Sequence, residues 1–481
     1  MDTDSLKKKV VRGGVFSITS QGVGIIVQLL STIILARLLT PADYGTISMV
    51  LAITAFAGLF RDMGLSSAAI QKKDLTYAQQ SNLFWLNVAM GLFLTLAIAL
   101  SSPLIASFYD KPELLWVAVV ISSSLFIGSL GAQHGAMLLR GMQFGKNAVA
   151  NVAGALLNMA VSVWLAYEGL SYWALVYGII AGTGCTTVLL LVFSPFKPKW
   201  FSKNSGTREL FSFGANVTAS NFVNYFSRNL DNILIGRFWG AEVLGAYNRA
   251  YQLLMFPIIN LRGPVSSVMF PALSRLDPLS KKFRNYYHKS MTLLALATMP
   301  LMTWLFFASN DLIQVVLGHN WSEVTPLFKA LAIAGFIQPV SSMRGVIMLA
   351  AGNSKRNLLS GIVTSIVIAL AFVVGISWGA LGVAYAYSLA VWLLAMPMHS
   401  YAIRGTSIRT LDLVSVSFVP LLCSFTAGCL SYFLTGTMIG LPPIARLIVL
   451  ALIFLLITAF ITLLYPNSRR ILTEIWSELK N

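Results

Sequence analysis

The chain has 481 residues, 57% of them hydrophobic and only 11% charged, with a formal net charge of +17 and a mean hydropathy of +0.75. Soluble domains carry about 25% charged residues, so this composition excludes a water-soluble fold for most of the chain. The excess of Lys and Arg is explained by membrane topology and anionic headgroups, and calls for no nucleic acid.

Apolar stretches of about 18 or more residues recur, each long enough to cross a hydrocarbon core of about 30 Å. They start near residues 15, 44, 82, 113, 147, 171, 212, 244, 287, 325, 357, 381, 412 and 444, which predicts about fourteen transmembrane helices. Helices are the expected spanning element because lipid cannot satisfy exposed backbone groups. The alternating segments of an outer-membrane barrel are absent. The expected fold class is therefore an all-α polytopic membrane protein.

The first apolar run follows Lys7, Lys8, Lys9 and Arg12 and leads directly into another span. It reads as an anchor rather than a cleaved signal peptide. Alternate loops then carry the basic residues. They hold Arg61, Lys72 and Lys73; Arg140 and Lys146; Lys197, Lys199, Lys203 and Arg208; then Arg262, Arg275, Lys281, Lys282, Arg284 and Lys289. Arg344, Lys355 and Arg356, then Arg404 and Arg409, then Arg469, Arg470 and Lys480 continue the pattern. By the positive-inside rule, both termini are expected in the cytoplasm of a plasma-membrane protein.

The two halves of the chain resemble each other at an offset of 200 residues: Gly14 falls on Gly214, Ser20 on Ser220, Arg37 on Arg237 and Gly45 on Gly245. "ILARLLTPADYG" runs parallel to "ILIGRFWGAEVLG". A duplicated unit in so apolar a chain points to a transporter of two lobes. The expected organisation is a six-helix lobe over 1–194, a basic connector over 195–211 and a second six-helix lobe over 212–404. Two additional helices and a tail follow over 405–481.

Charges within the predicted spans are the functional clue. Asn221, Asn224, Arg228 and Asp231 are spaced three, four and three apart, which places them on one helix face. Arg249 lies at a similar depth in the next span. A charge near mid-bilayer costs at least about 2.5–3.5 kcal/mol and normally faces a bundle interior or a watery cavity. The counterparts of Arg228, Asp231 and Arg249 at the 200-residue offset are Gln28, Ser31 and Met49, so the shared fold does not require the charges.

One reading is an architectural ion pair of Asp231 with Arg228 or Arg249. The other is a cavity whose two cations against one carboxylate attract a phosphate-bearing ligand, which the planar guanidinium fork fits. Gln133 and His134 are further cavity candidates, although a satisfied interior His is an equal reading. Arg344 either lines the inner mouth or snorkels. Arg37 and Arg237 suit the C-terminal ends of equivalent helices. Cys185, Cys423 and Cys429 show no disulfide or metal spacing. No P-loop, HExxH or nucleophile elbow occurs, so neither an enzyme nor a cofactor is expected.

"ILARLLTPADYGTISMVLAI", "RDMGLSSAAIQKKD", "LDNILIGRFWGAEVLGAYNRAYQL", "VSSVMFPALSRL" and "LGHNWSEVTPLFKALAIAG" resemble successive blocks of the polysaccharide transporter family. That family sits within the multidrug, oligosaccharidyl-lipid and polysaccharide flippases, and the resemblance here is to the colanic-acid exporter type. It implies a flippase that moves undecaprenyl-pyrophosphate-linked oligosaccharide units by alternating access, with polymerase and glycosyltransferases as candidate partners. It also implies a cationic cavity for the glycan and pyrophosphate, a need that Arg228, Arg249 and the polar face of the seventh span fit independently. The alternatives are a cation-coupled multidrug exporter of the same superfamily and a non-transporting scaffold of a glycan-assembly complex.

Overall fold

The computed structural model describes residues 3–62, 64–72, 74–203, 207–436 and 440–464. Among them there are sixteen α-helices and no strand. In order they are α1 (Thr3–Leu38), α2 (Pro41–Asp62), α3 (Leu65–Gln71), α4 (Tyr77–Tyr109), α5 (Leu114–Arg140), α6 (Phe144–Tyr167), α7 (Tyr172–Phe193) and α8 (Thr207–Ser274). There follow α9 (Lys281–Phe307), α10 (Ser309–Val316), α11 (Val324–Ser341), α12 (Arg344–Ala350), α13 (Ser354–Gly375), α14 (Gly379–Ala402), α15 (Thr410–Gly436) and α16 (Pro443–Leu464).

Among the described residues, twelve helical segments are long and apolar enough to cross a membrane, against about fourteen expected. The difference lies in two long segments, Asn229–Ser274 with 46 residues and Ser354–Ala402 with 49. A single crossing needs about 20 residues. Each long segment is interrupted: the first at Gly240 (φ 81°, ψ −178°), the second at the tight turn Ile376–Trp378 between α13 and α14.

The chain divides into two compact units, Met1–Gly245 and Ala246–Asn481. In the first, α4 packs on α5 and α6 on α7, α5 also meets α7, and α1 lies along α6. Small residues bring α6 and α7 close: a Cβ on Gly154 would overlap Thr186, one on Gly178 would overlap Ser162, and one on Gly182 would crowd Asn158. Close backbone approach is the usual basis of helix association in lipid, where there is no hydrophobic drive between helices. α4 begins with a capping box in which Thr76 and Gln79 exchange backbone bonds at 3.2 Å.

The described part of the basic connector is strapped to α4. Asn82 bonds both the carbonyl and the N–H of Ser202, at 2.7 and 2.8 Å. The Trp85 indole donates to the Lys199 carbonyl at 2.9 Å, and Trp85 and Trp200 stack at 5.7 Å.

The 200-residue repeat becomes a reciprocal contact in this unit. A Cβ on Gly45 would overlap the carbonyl of Ala241, and a Cβ on Gly245 would overlap the carbonyl of Pro41. Positions 41 and 241 are equivalent, as are 45 and 245, so the same surface meets its own copy, which is the form of a two-fold contact. The break at Gly240 permits it, since φ of 81° is open to glycine at little steric cost.

In the second unit α9 packs on α15 and α11, α14 on α11 and α13, and α16 on α15. Its core includes Phe283, Tyr287, Met291, Leu294, Met299 and Met343, each at most 1% exposed. The ends are tied by ion pairs. Arg284 donates twice to Asp412, at 2.7 Å for each bond, and at the opposite end of the unit Arg446 meets Asp311 at 2.7 Å.

Candidate functional site

The segment expected to carry the site is the first limb of α8. Its backbone is helical through positions 221, 224, 228 and 231, as the spacing requires. The side chains of Asn221, Asn224 and Arg228 lie outside the described residues. Asp231 is 2% exposed, and its Oδ1 accepts from the Asn232 N–H at 2.9 Å. Tyr225, 9% exposed, lies within electrostatic reach of Asp231 and donates its hydroxyl to the carbonyl of Ala52 in α2. Asp231 thus belongs to a buried, polar-edged seam of the first unit.

Arg249 belongs to the second unit and is half-buried. Its Nη1 donates to Oε1 of Gln252, one turn along the same helix, which fixes the direction of the guanidinium. Arg344 is the first residue of α12, just after α11 has ended at Ser341. Its Nη2 donates to the Thr364 hydroxyl of α13 at 3.1 Å.

Gln133 and His134 are interior residues of the first unit, 0% and 2% exposed. The His134 ring meets Phe84 edge-on at 5.7 Å and Phe196 at 5.2 Å. With the fully buried Asn87 of α4, they contribute six side-chain nitrogen and oxygen atoms that have no hydrogen-bond partner among the described residues. An unsatisfied buried polar group costs about 1–3 kcal/mol, so packing alone does not explain these three. Arg237 pairs with Asp110 at the end of α4 and lies over Phe108 at 5.8 Å.

Sequence reasoning placed Arg61 in a basic loop. The structure turns its guanidinium inward against Gly128 of α5. It also missed the Asp412 cluster, where the carboxylate, 5% exposed, accepts from Arg284 and from the Arg409 N–H at 2.8 Å, with His288 at 3.1 Å. The only trace in the sequence was an acidic residue at the start of a predicted span. Among the described residues no group of three or more His, Cys, Asp or Glu stands where it would hold a metal ion, and the three cysteines are free.

A family profile described as "Polysaccharide biosynthesis protein" matches residues 34–326. The chain belongs to that family. It is 29% identical to the teichuronic acid biosynthesis protein TuaB of Bacillus subtilis over 357 residues, 73% of each chain. It is 25% identical to the lipopolysaccharide biosynthesis protein WzxC of Escherichia coli over 392 residues, 80% of this chain and 79% of that one. Among solved structures, it shares the fold of the lipid II flippase MurJ in an inward closed conformation. The TM-score is 0.77 at 14% identity, covering 94% of this chain and 98% of that one. An inward-facing multidrug transporter of the MOP superfamily matches at a TM-score of 0.64 and 13% identity, over 82% and 95% of the two chains. The family member therefore has an all-α transporter fold over nearly its whole length.

Proposed function

We propose that this chain flips undecaprenyl-pyrophosphate-linked oligosaccharide repeat units across the bacterial plasma membrane for surface polysaccharide assembly. The observation that carries the proposal is the conjunction of a polysaccharide-biosynthesis profile over 34–326 with a flippase fold over 94% of the chain. The chain acts as a transporter and not as an enzyme, with fourteen crossings when the two long broken segments count twice, and with both termini in the cytoplasm. Lobes at 1–194 and 212–404 rock in alternating access, and the helices after 405 are an appendix to them. Arg228 and Arg249 attract the pyrophosphate, Asp231 orients one of them, and Asn221 and Asn224 extend the polar face toward the sugars. Gln133, His134 and Arg344 line secondary polar positions. Polymerase and glycosyltransferases receive and supply the lipid-linked unit.

The physical logic is charge balance. Two arginines against one carboxylate in the count of charges leave a net positive charge suited to a diphosphate, while the lipid tail remains in the bilayer. A multidrug exporter is the second reading, favoured only by the fold likeness to such a transporter. Deletion of the gene, followed by mass spectrometry of membrane lipids, decides between the two. Accumulation of one lipid-linked repeat unit with loss of the surface polymer is expected. Intact polymer with no accumulation would sink the flippase reading.

A further inference from the structure

The second unit holds a cleft that none of the residues above accounts for. It measures about 550 Å³ and is lined by Asn310, Gln314, His319, Ser322, Thr325 and Lys329, with Ile313 and Pro326 as its apolar patches. That volume falls within the range of about 300–1,000 Å³ typical of small-molecule sites. The cleft lies at the Arg446–Asp311 end of the unit, away from Arg284 and Asp412, because α9 runs from one end to the other before α10 begins.

We propose that this cleft binds an acidic sugar, a uronate-bearing segment of a glycan. The wall mixes two amides, two hydroxyls and an imidazole, the groups that pair with the alternating donors and acceptors of a sugar ring. Gln314 and His319 bond each other at 3.2 Å, while the side chains of Asn310, Ser322, Thr325 and Lys329 make no hydrogen bond or ion pair among the described residues. Lys329 is the one cation of the wall and no carboxylate lines it; Asp311, in the same segment, is taken up by Arg446. A neutral sugar would leave the ammonium without a counter-charge, and a carboxylate on the ring supplies one.

The wall is also preformed. Ile313, Leu317, Trp321 and Val324 are at most 1% exposed and anchor its back, and Gly318 makes the turn at φ 99°. Less ordering is then required when a ligand binds. The inference deepens the glycan reading above and rests on it for its biological occasion, but binding is measurable without any transport.

The test uses the full-length protein in phosphatidylcholine nanodiscs at low salt, titrated calorimetrically with cellobiouronic acid and with cellobiose, which lacks only the carboxylate. The acid is expected to bind at least about tenfold more tightly, the low end of what one charge-assisted hydrogen bond allows. Lys329→Gln should abolish that preference, and Gln314→Ala should weaken both sugars. Equal binding of the two sugars, binding of neither, or a preference that survives Lys329→Gln would each overturn the proposal. Displacement of the acid by an equal concentration of inorganic phosphate would do the same, reducing the cleft to a general anion site. A negative result here with lipid-linked glycan still accumulating in the deletion strain would remove the cleft and leave the flippase standing.

Discussion

At the residue scale, the decisive contrast is between charges that are committed and polar groups that are not. Asp412 is committed: Arg284 grips it with two bonds of 2.7 Å, and its side chain is 5% exposed. Asp412→Asn keeps the shape and removes the charge, so a stability loss of about 1–3 kcal/mol is expected, read as a lower melting temperature in detergent. The lower end applies, because the Arg284 side chain is 30% exposed and solvent screens it. Gln133 is the opposite case, a fully buried amide without a partner among the described residues. Gln133→Leu should leave the melting temperature unchanged or raise it while transport falls, since function often retains groups that stability would discard. A variant that transports normally would end its candidacy as a cavity residue. Arg249→Ala, at normal expression, should cut flipping about tenfold or more, measured as accumulated lipid-linked glycan, because the proposed charge-assisted contact to phosphate would be lost.

At the element scale, the repeat shows itself as the crossing at Gly45 and Gly245. Each glycine faces the backbone carbonyl at the equivalent of the other's partner position, with no room for a methyl group. Gly45→Ala must push the α2 start away from Ala241, so a loss of folded, membrane-inserted protein is expected, visible in size-exclusion yield and melting temperature. Gly22→Ala in α1 is the control, since nothing lies within 4 Å of the added carbon, and the better helix propensity of Ala makes it harmless. Equal behaviour of the two variants would show that the crossing tolerates separation. The connector makes a related point. Its prolines and lysines read only as a basic connector, and Asn82, Trp85 and Ser81 hold its backbone against α4, the last through the Lys199 N–H at 3.1 Å. Hydrogen bonds between side chains and an irregular backbone leave no periodic trace in sequence.

At the scale of the whole molecule, the two ends of the second unit should lie on opposite sides of the membrane. In a cysteine-free background, Lys329→Cys is expected to react with an impermeant maleimide on intact cells, and Lys282→Cys only after permeabilisation. Labelling of both from outside would contradict the orientation read from the basic loops. The amino-acid sequence by itself determined the helical class and the approximate spans. Bilayer thickness and backbone hydrogen bonding write those features directly into apolar run length. Tertiary structure alone decided which helices touch. It paired Arg284 with Asp412 across 128 positions and turned Arg61 inward against α5. It also buried Gln133, set His134 against Phe84 and Phe196, and shaped the cleft around Lys329. Such proximities depend on helix crossing and on the close approach that small residues permit, and neither is carried by local hydropathy or spacing.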